Sequence, residues 1–154
     1  MKDQESRALS IIKDLTEYCK REYFEFYEAL DVLIPRKVTR KKVREDKAVF
    51  NGGFFQDDDR GVFSTDGKYL LYDAELVNKN YKKNRYKSLV HHLMHVIMHL
   101  LLDDLQTYQN TANKRLYSAY ADIRVEDILY ILENPQNTQG EEISILDMHE
   151  VWKY

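Results

Sequence analysis

Apolar residues recur at steps of three and four along the first stretch of the chain: Ala8, Ile12, Leu15, Cys19, Tyr23, Phe26, Leu30 and Leu33. That spacing predicts one helix over residues 4–34, with charged residues on its other faces and Pro35 closing it. Asn51-Gly52-Gly53 and Asp57–Gly61 carry turn chemistry. Two β-prone runs, Val62–Thr65 and Lys68–Tyr72, flank Asp66-Gly67, the pattern of a hairpin. Asp73 then stands where the N-cap of a short helix belongs, and a polar, basic stretch over 78–87 follows. Residues 84–104 predict a second long helix, apolar nearly all round, with Leu89, Val90, Leu93, Met94, Val96 and Ile97 among its side chains. A helix with so little polar face belongs in the middle of its domain. A third helix is predicted over 112–133, ending before Asn134-Pro135. The tail, 136–154, is polar and then semi-apolar (Ile143 to Trp152), and reads as a short strand or helix docked on the body. These elements predict a single α+β domain over 1–154, with its core at about 5–133. It is mainly helical, with a small β-sheet or hairpin and a central histidine-bearing helix.

Composition narrows this picture. The length of 154 residues suits one domain with a real core. A share of 44% apolar and 32% charged residues marks a globular chain rather than a disordered one. A net charge of −3 gives no general pull toward nucleic acid or anionic lipid. The basic run Arg36–Lys47 has no interleaved aromatics and reads as a solvated loop or exposed strand, so a nucleic-acid partner is not expected. Cys19 is the only cysteine. No intrachain disulfide can form, and a reducing cytoplasm is the expected home. Its place on the apolar stripe of the first helix gives Cys19 a packing role. The apolar run at 89–102 is too short and too rich in histidine to span a bilayer, and the polar N-terminus has no signal-peptide core. No membrane partner is expected.

The informative chemistry is on the second long helix, where His91, His92, His95 and His99 fall within nine residues. Side chains four apart on a helix are separated by about 40° in azimuth and roughly 6 Å along the axis. Two imidazoles so placed can converge on one Zn²⁺ at about 2.0–2.1 Å. His91/His95 and His95/His99 both meet that spacing. His91 and His99 are separated by roughly 12 Å of rise and cannot both reach one ion from a straight helix. Burying several imidazoles without partners would cost about a few kcal/mol each, so they need either core partners or a metal, and spacing alone leaves both open. On the third helix Asp122 and Glu126 share a face. A carboxylate there could complete a site of two histidines and one acid with a position open to water. By spacing alone the same two residues read first as ordinary solvent-facing acids.

Three segments, in this order, carry a resemblance: Thr65-Asp66-Gly67-Lys68-Tyr69-Leu70-Leu71-Tyr72, His91-His92-Leu93-Met94-His95 and Ala121-Asp122-Ile123-Arg124-Val125-Glu126. Together they resemble a family of zincin-like metallopeptidases that bacteria encode beside, or fused with, a von Willebrand factor A-like domain. The likeness covers roughly residues 5–133, and the von Willebrand-like half has no counterpart in this sequence. The resemblance implies a zincin-like fold and a zinc ion on His91, His95 and Asp122, with Ni²⁺, Fe²⁺ or Co²⁺ fitting a similar set. It further implies a peptide or protein as substrate or partner, paired along Lys68–Tyr72 as an edge strand. The family's later histidine falls one residue beyond His99, so no role passes to His99.

One departure matters most. In HExxH the glutamate takes the proton from the metal-bound water, and here that position is His92. Two expectations follow. The first is a zinc-dependent metallopeptidase, attenuated, with His92 or Glu126 as substitute base. The second is a catalytically inactive zincin-like module that serves protein binding or regulation.

Overall fold

The protein is described here from a computed structural model, over residues 2–38, 50–51 and 62–134. Residues 52–61, most of the basic segment and the tail at 136–154, with the expectations attached to them, lie outside these residues.

Helix α1 spans Lys2–Glu22, with Asp3 and Glu5 in its first turn and Lys20 and Arg21 in its last, each sign matched to the helix dipole. The long first helix expected from the apolar spacing is in fact two. After Glu22 the chain makes a 3-10 turn over Phe24–Phe26 and restarts as α2, Tyr27–Val32. Four aromatic residues crowd positions 23–27, and aromatic side chains lose rotamer freedom against a preceding α-turn. The tighter turn puts Phe26, fully buried, edge-on against Tyr23 and leads Leu30 into the core. Pro35 does not close a helix. It lies in strand β1, Ile34–Lys37, at the outside of the sheet, where a missing N–H is tolerated.

The sheet has the order β1-β4-β3-β2, with β2 at Phe50–Asn51, β3 at Phe63–Thr65 and β4 at Tyr69–Tyr72. β3 and β4 form the expected antiparallel hairpin. Asp66 Oδ1 accepts from the amides of Lys68 (3.0 Å) and Tyr69 (2.9 Å), and Gly67 takes φ +95°, a conformation side chains avoid. β1 pairs parallel to β4, from Ile34 opposite Tyr69 to Lys37 opposite Tyr72. This corrects the expectation of an edge strand at Lys68–Tyr72: with β1 on one side and β3 on the other, β4 has no free ladder for an extended peptide.

Asp73 caps helix α3, Ala74–Lys82, by accepting from Leu76 N at 3.1 Å. The helix runs on through residues whose polarity hid it. Asn78 and Asn80 are buried because their amides donate to backbone carbonyls of Gln4, Ala74 and Leu76. Helix α4, Tyr86–Leu101, is central as its apolar girth predicts: the other helices and strands β2 and β3 pack around it, and Leu93, Val96, Ile97 and Met98 have no exposed surface. Asp103, at φ 58°, turns the chain into a short helix not foreseen from the pattern, α5, Asp104–Asn110. Helix α6, Lys114–Glu133, starts at the Asn113 cap and lies against both α4 and α5. The architecture is α+β and mainly helical. No helix among the described residues is long and apolar enough to cross a membrane.

Candidate metal centre

α4 presents His91, His95 and His99 at successive steps of four, and α6 presents Asp122, Glu126 and Glu133. The contacts run in opposite chain directions, as a ladder between antiparallel helices. His99 meets Asp122, His95 lies between Asp122 and Glu126, and His91 lies between Glu126 and Glu133.

The inner end of the ladder is a buried trio. His95 Nε2 is 2.9 Å from Asp122 Oδ1, His99 Nε2 is 3.0 Å from the same oxygen, and the two Nε2 atoms are 3.0 Å apart. His99 and Asp122 have no exposed surface and His95 has 3%. These residues form a group with the geometry to hold a metal ion. Ligand atoms about 2.0–2.1 Å from a tetrahedral zinc ion are roughly 3.3 Å apart, so the trio needs to open by only a few tenths of an ångström to accept one.

Proton accounting points the same way. His95 Nδ1 is 2.6 Å from Glu126 Oε1, and His99 Nδ1 is 2.8 Å from Asp104 Oδ2. An ionised carboxylate only accepts, so each imidazole donates through Nδ1–H. With both rings neutral, both Nε2 atoms are bare. Two nitrogen lone pairs and a carboxylate oxygen then face one another in a dry space. One shared proton or one cation resolves that repulsion. Burial of His95 works against charge, but Asp122 and Glu126 together outweigh it and raise the pKa of the ring. Burial likewise opposes ionisation of Asp122, and the two imidazoles beside it, His95 first, outweigh that and hold its pKa below the usual range.

Two further shells support the trio. Asp104, fully buried, accepts from His99, from the Tyr117 hydroxyl at 2.5 Å and from the Arg124 guanidinium. Burial alone would raise its pKa, but these partners lower it. The same neighbourhood pushes Tyr117 up to about 12, through burial first and Asp104 second. On the outer side, Glu126 accepts from His91 Nε2 at 2.8 Å as well as from His95, and Glu133 accepts from His91 Nδ1 at 2.9 Å. The bond to Glu126 leads in raising His91 to about 9, against the opposing effect of burial and with help from Glu133. Burial opposes ionisation of Glu126 too, yet its two imidazole bonds hold it well below its usual range.

Of the residues singled out in the sequence, His95, Asp122 and Glu126 come together at or beside the trio. His91 is one rung away, with both ring nitrogens on carboxylates, and does not join it. His92, half-buried, is one residue or about 100° further round the helix from His91. The second histidine of the trio is His99, one of the two pairings that spacing left open. Asp104, Arg124 and Tyr117 carried no signal of their own. Only the position of Asp104 five residues after His99, past the helix end, could have drawn notice. Cys19 is buried and its thiol is pushed up to about 12 by that burial, in keeping with a packing role.

His99 also borders a cleft of about 580 Å³ between the Asp66-Gly67 turn and α5, with Asp103, Gln106 and Gln109 in its walls. Comparison with family models, with curated proteins and with solved structures finds no match to this chain.

Proposed function

We propose that the protein binds one first-row divalent metal ion, zinc by preference, through His95 Nε2, His99 Nε2 and Asp122 Oδ1, and that it works as a zincin-like module for protein binding or regulation. The observation that carries the reading is the convergence of three acceptor atoms within 3.0 Å of one another, each imidazole already donating through Nδ1 to a carboxylate. Two imidazoles and one carboxylate suit zinc, and the same donors fit Co²⁺, Ni²⁺ or Fe²⁺.

A bound ion there would supply Lewis acidity, but the residues around it favour holding over hydrolysis. The ligands are buried. Glu126, the carboxylate nearest to them on the outer side, is committed to two imidazoles. With His95 and His99 as the helix ligands, the place where HExxH carries its glutamate is taken by Val96, a buried apolar residue with no proton to give or take. The second reading, an attenuated zinc metallopeptidase, draws its support from the cleft that lies against the buried His99.

Elemental analysis of the purified protein tests the first reading. About one zinc per chain, absent from Asp122→Ala, is the expected result, and a metal-free wild type or a fully loaded Asp122→Ala protein would sink it. Incubation with an unstructured protein substrate decides between the two uses. Zinc-dependent cleavage that disappears in His95→Ala would replace the module by the peptidase.

A further inference from the structure

Behind the proposed ligands stands Asp104, a charged side chain with no exposed surface, held by three partners. It is the first residue of α5, outside the His-Asp ladder. Its Oδ2 faces His99 Nδ1 at 2.8 Å, while Oδ1 takes the Tyr117 hydroxyl and the Arg124 guanidinium. Each oxygen therefore has its own task. Arg124 comes from α6, two residues after Asp122, so the helix that supplies the carboxylate ligand also supplies the counter-charge that keeps Asp104 ionised.

We infer that Asp104 is a positioning residue for the metal. Resting on the proposed site, this assigns it the task of holding His99 as the Nδ1–H tautomer, with the Nε2 lone pair aimed at the ion. A histidine ligand with its other ring nitrogen on a carboxylate is fixed in orientation and made more basic. His95 has the same arrangement through Glu126, but Glu126 is 45% exposed at its side chain whereas Asp104 is fully enclosed. The enclosed carboxylate has no water to replace it, so His99 depends on Asp104 more than His95 depends on Glu126.

An asparagine at this position can donate to Nδ1 and stabilise the opposite tautomer, with a proton on Nε2 where the metal binds. Asp104→Asn is therefore expected to weaken Co²⁺ or Zn²⁺ binding by about 10- to 100-fold. Tyr117→Phe removes one bond to Asp104 but keeps its charge and its bond to His99, and is expected to bind metal nearly as wild type does. Long-range ¹H–¹⁵N correlation spectra of the metal-free proteins report the tautomer directly: Nδ1–H on His99 in wild type and Tyr117→Phe, Nε2–H in Asp104→Asn. A wild type whose His99 carries its proton on Nε2 would overturn the inference. So would an Asp104→Asn protein that is folded and binds metal as tightly as wild type, or a Tyr117→Phe loss equal to that of Asp104→Asn. A wild type that binds no metal would instead remove the site itself, and this inference with it.

Discussion

His95 Nε2 and His99 Nε2 stand 3.0 Å apart in a space closed to solvent, each on the bare side of a ring whose Nδ1 donates to a carboxylate. Two lone pairs held that close require a proton or a cation between them.

The ion pair behind the trio should be costly to break. Arg124→Met leaves the enclosed Asp104 carboxylate without its counter-charge, and removing one partner of a buried pair costs about 3–5 kcal/mol. Chemical denaturation of the metal-free protein measures the loss. A change under about 1 kcal/mol would place this pair among the weak surface pairs.

The outer rung should make stability depend on pH. His91 is raised to about 9 in the folded state by Glu126 and then Glu133, against the pull of burial, whereas an unfolded histidine titrates near about 6.5. Its contribution is fully present below the unfolded value and is lost as pH rises through about 9. His95 shifts in the same direction, so the comparison that isolates His91 is wild type against His91→Ala, both free of metal. Denaturation midpoints across pH 6–10 are expected to fall more in wild type. Parallel curves would mean the His91 bonds contribute nothing.

The hairpin next to the cleft offers a separate check on the backbone. A Cβ on Gly67 would meet Leu105 Cδ2 at 3.6 Å, an ordinary contact, so space is not the obstacle. The φ of +95° is, and Gly67→Ala is expected to cost about 1 kcal/mol or more. Thermal unfolding no different from wild type would show that the turn re-forms in another conformation at no cost.

What could be read from the residues, and what could not, divides along physical lines. The apolar girth of 89–102 placed α4 at the centre, because only a buried helix can afford so few polar positions. The Asp66-Gly67 turn placed the hairpin, since few residue types accept its dihedrals. Periodicity failed at Tyr23–Tyr27, where helical spacing continues through a 3-10 turn, and at Asn78 and Asn80, whose burial depends on backbone carbonyls that no local pattern displays. The parallel partner of β4 was invisible for a similar reason: Ile34–Lys37 is exposed along its length and has no alternation to announce a strand. At the site, one histidine and one acid followed from spacing and order. The choice between His91 and His99 did not, because both sit four residues from His95, and only the position of α6 along α4 distinguishes them.

That choice is also the most direct test of the account. Co²⁺ titration followed by its visible absorption, on wild type, His91→Ala and His99→Ala, reads the coordinating residues without any assumption about activity. Binding of about one Co²⁺ per chain in wild type and His91→Ala, with its loss in His99→Ala, is the result expected from the trio. Binding kept in His99→Ala and lost in His91→Ala would contradict it, and would move the ion one turn back along α4.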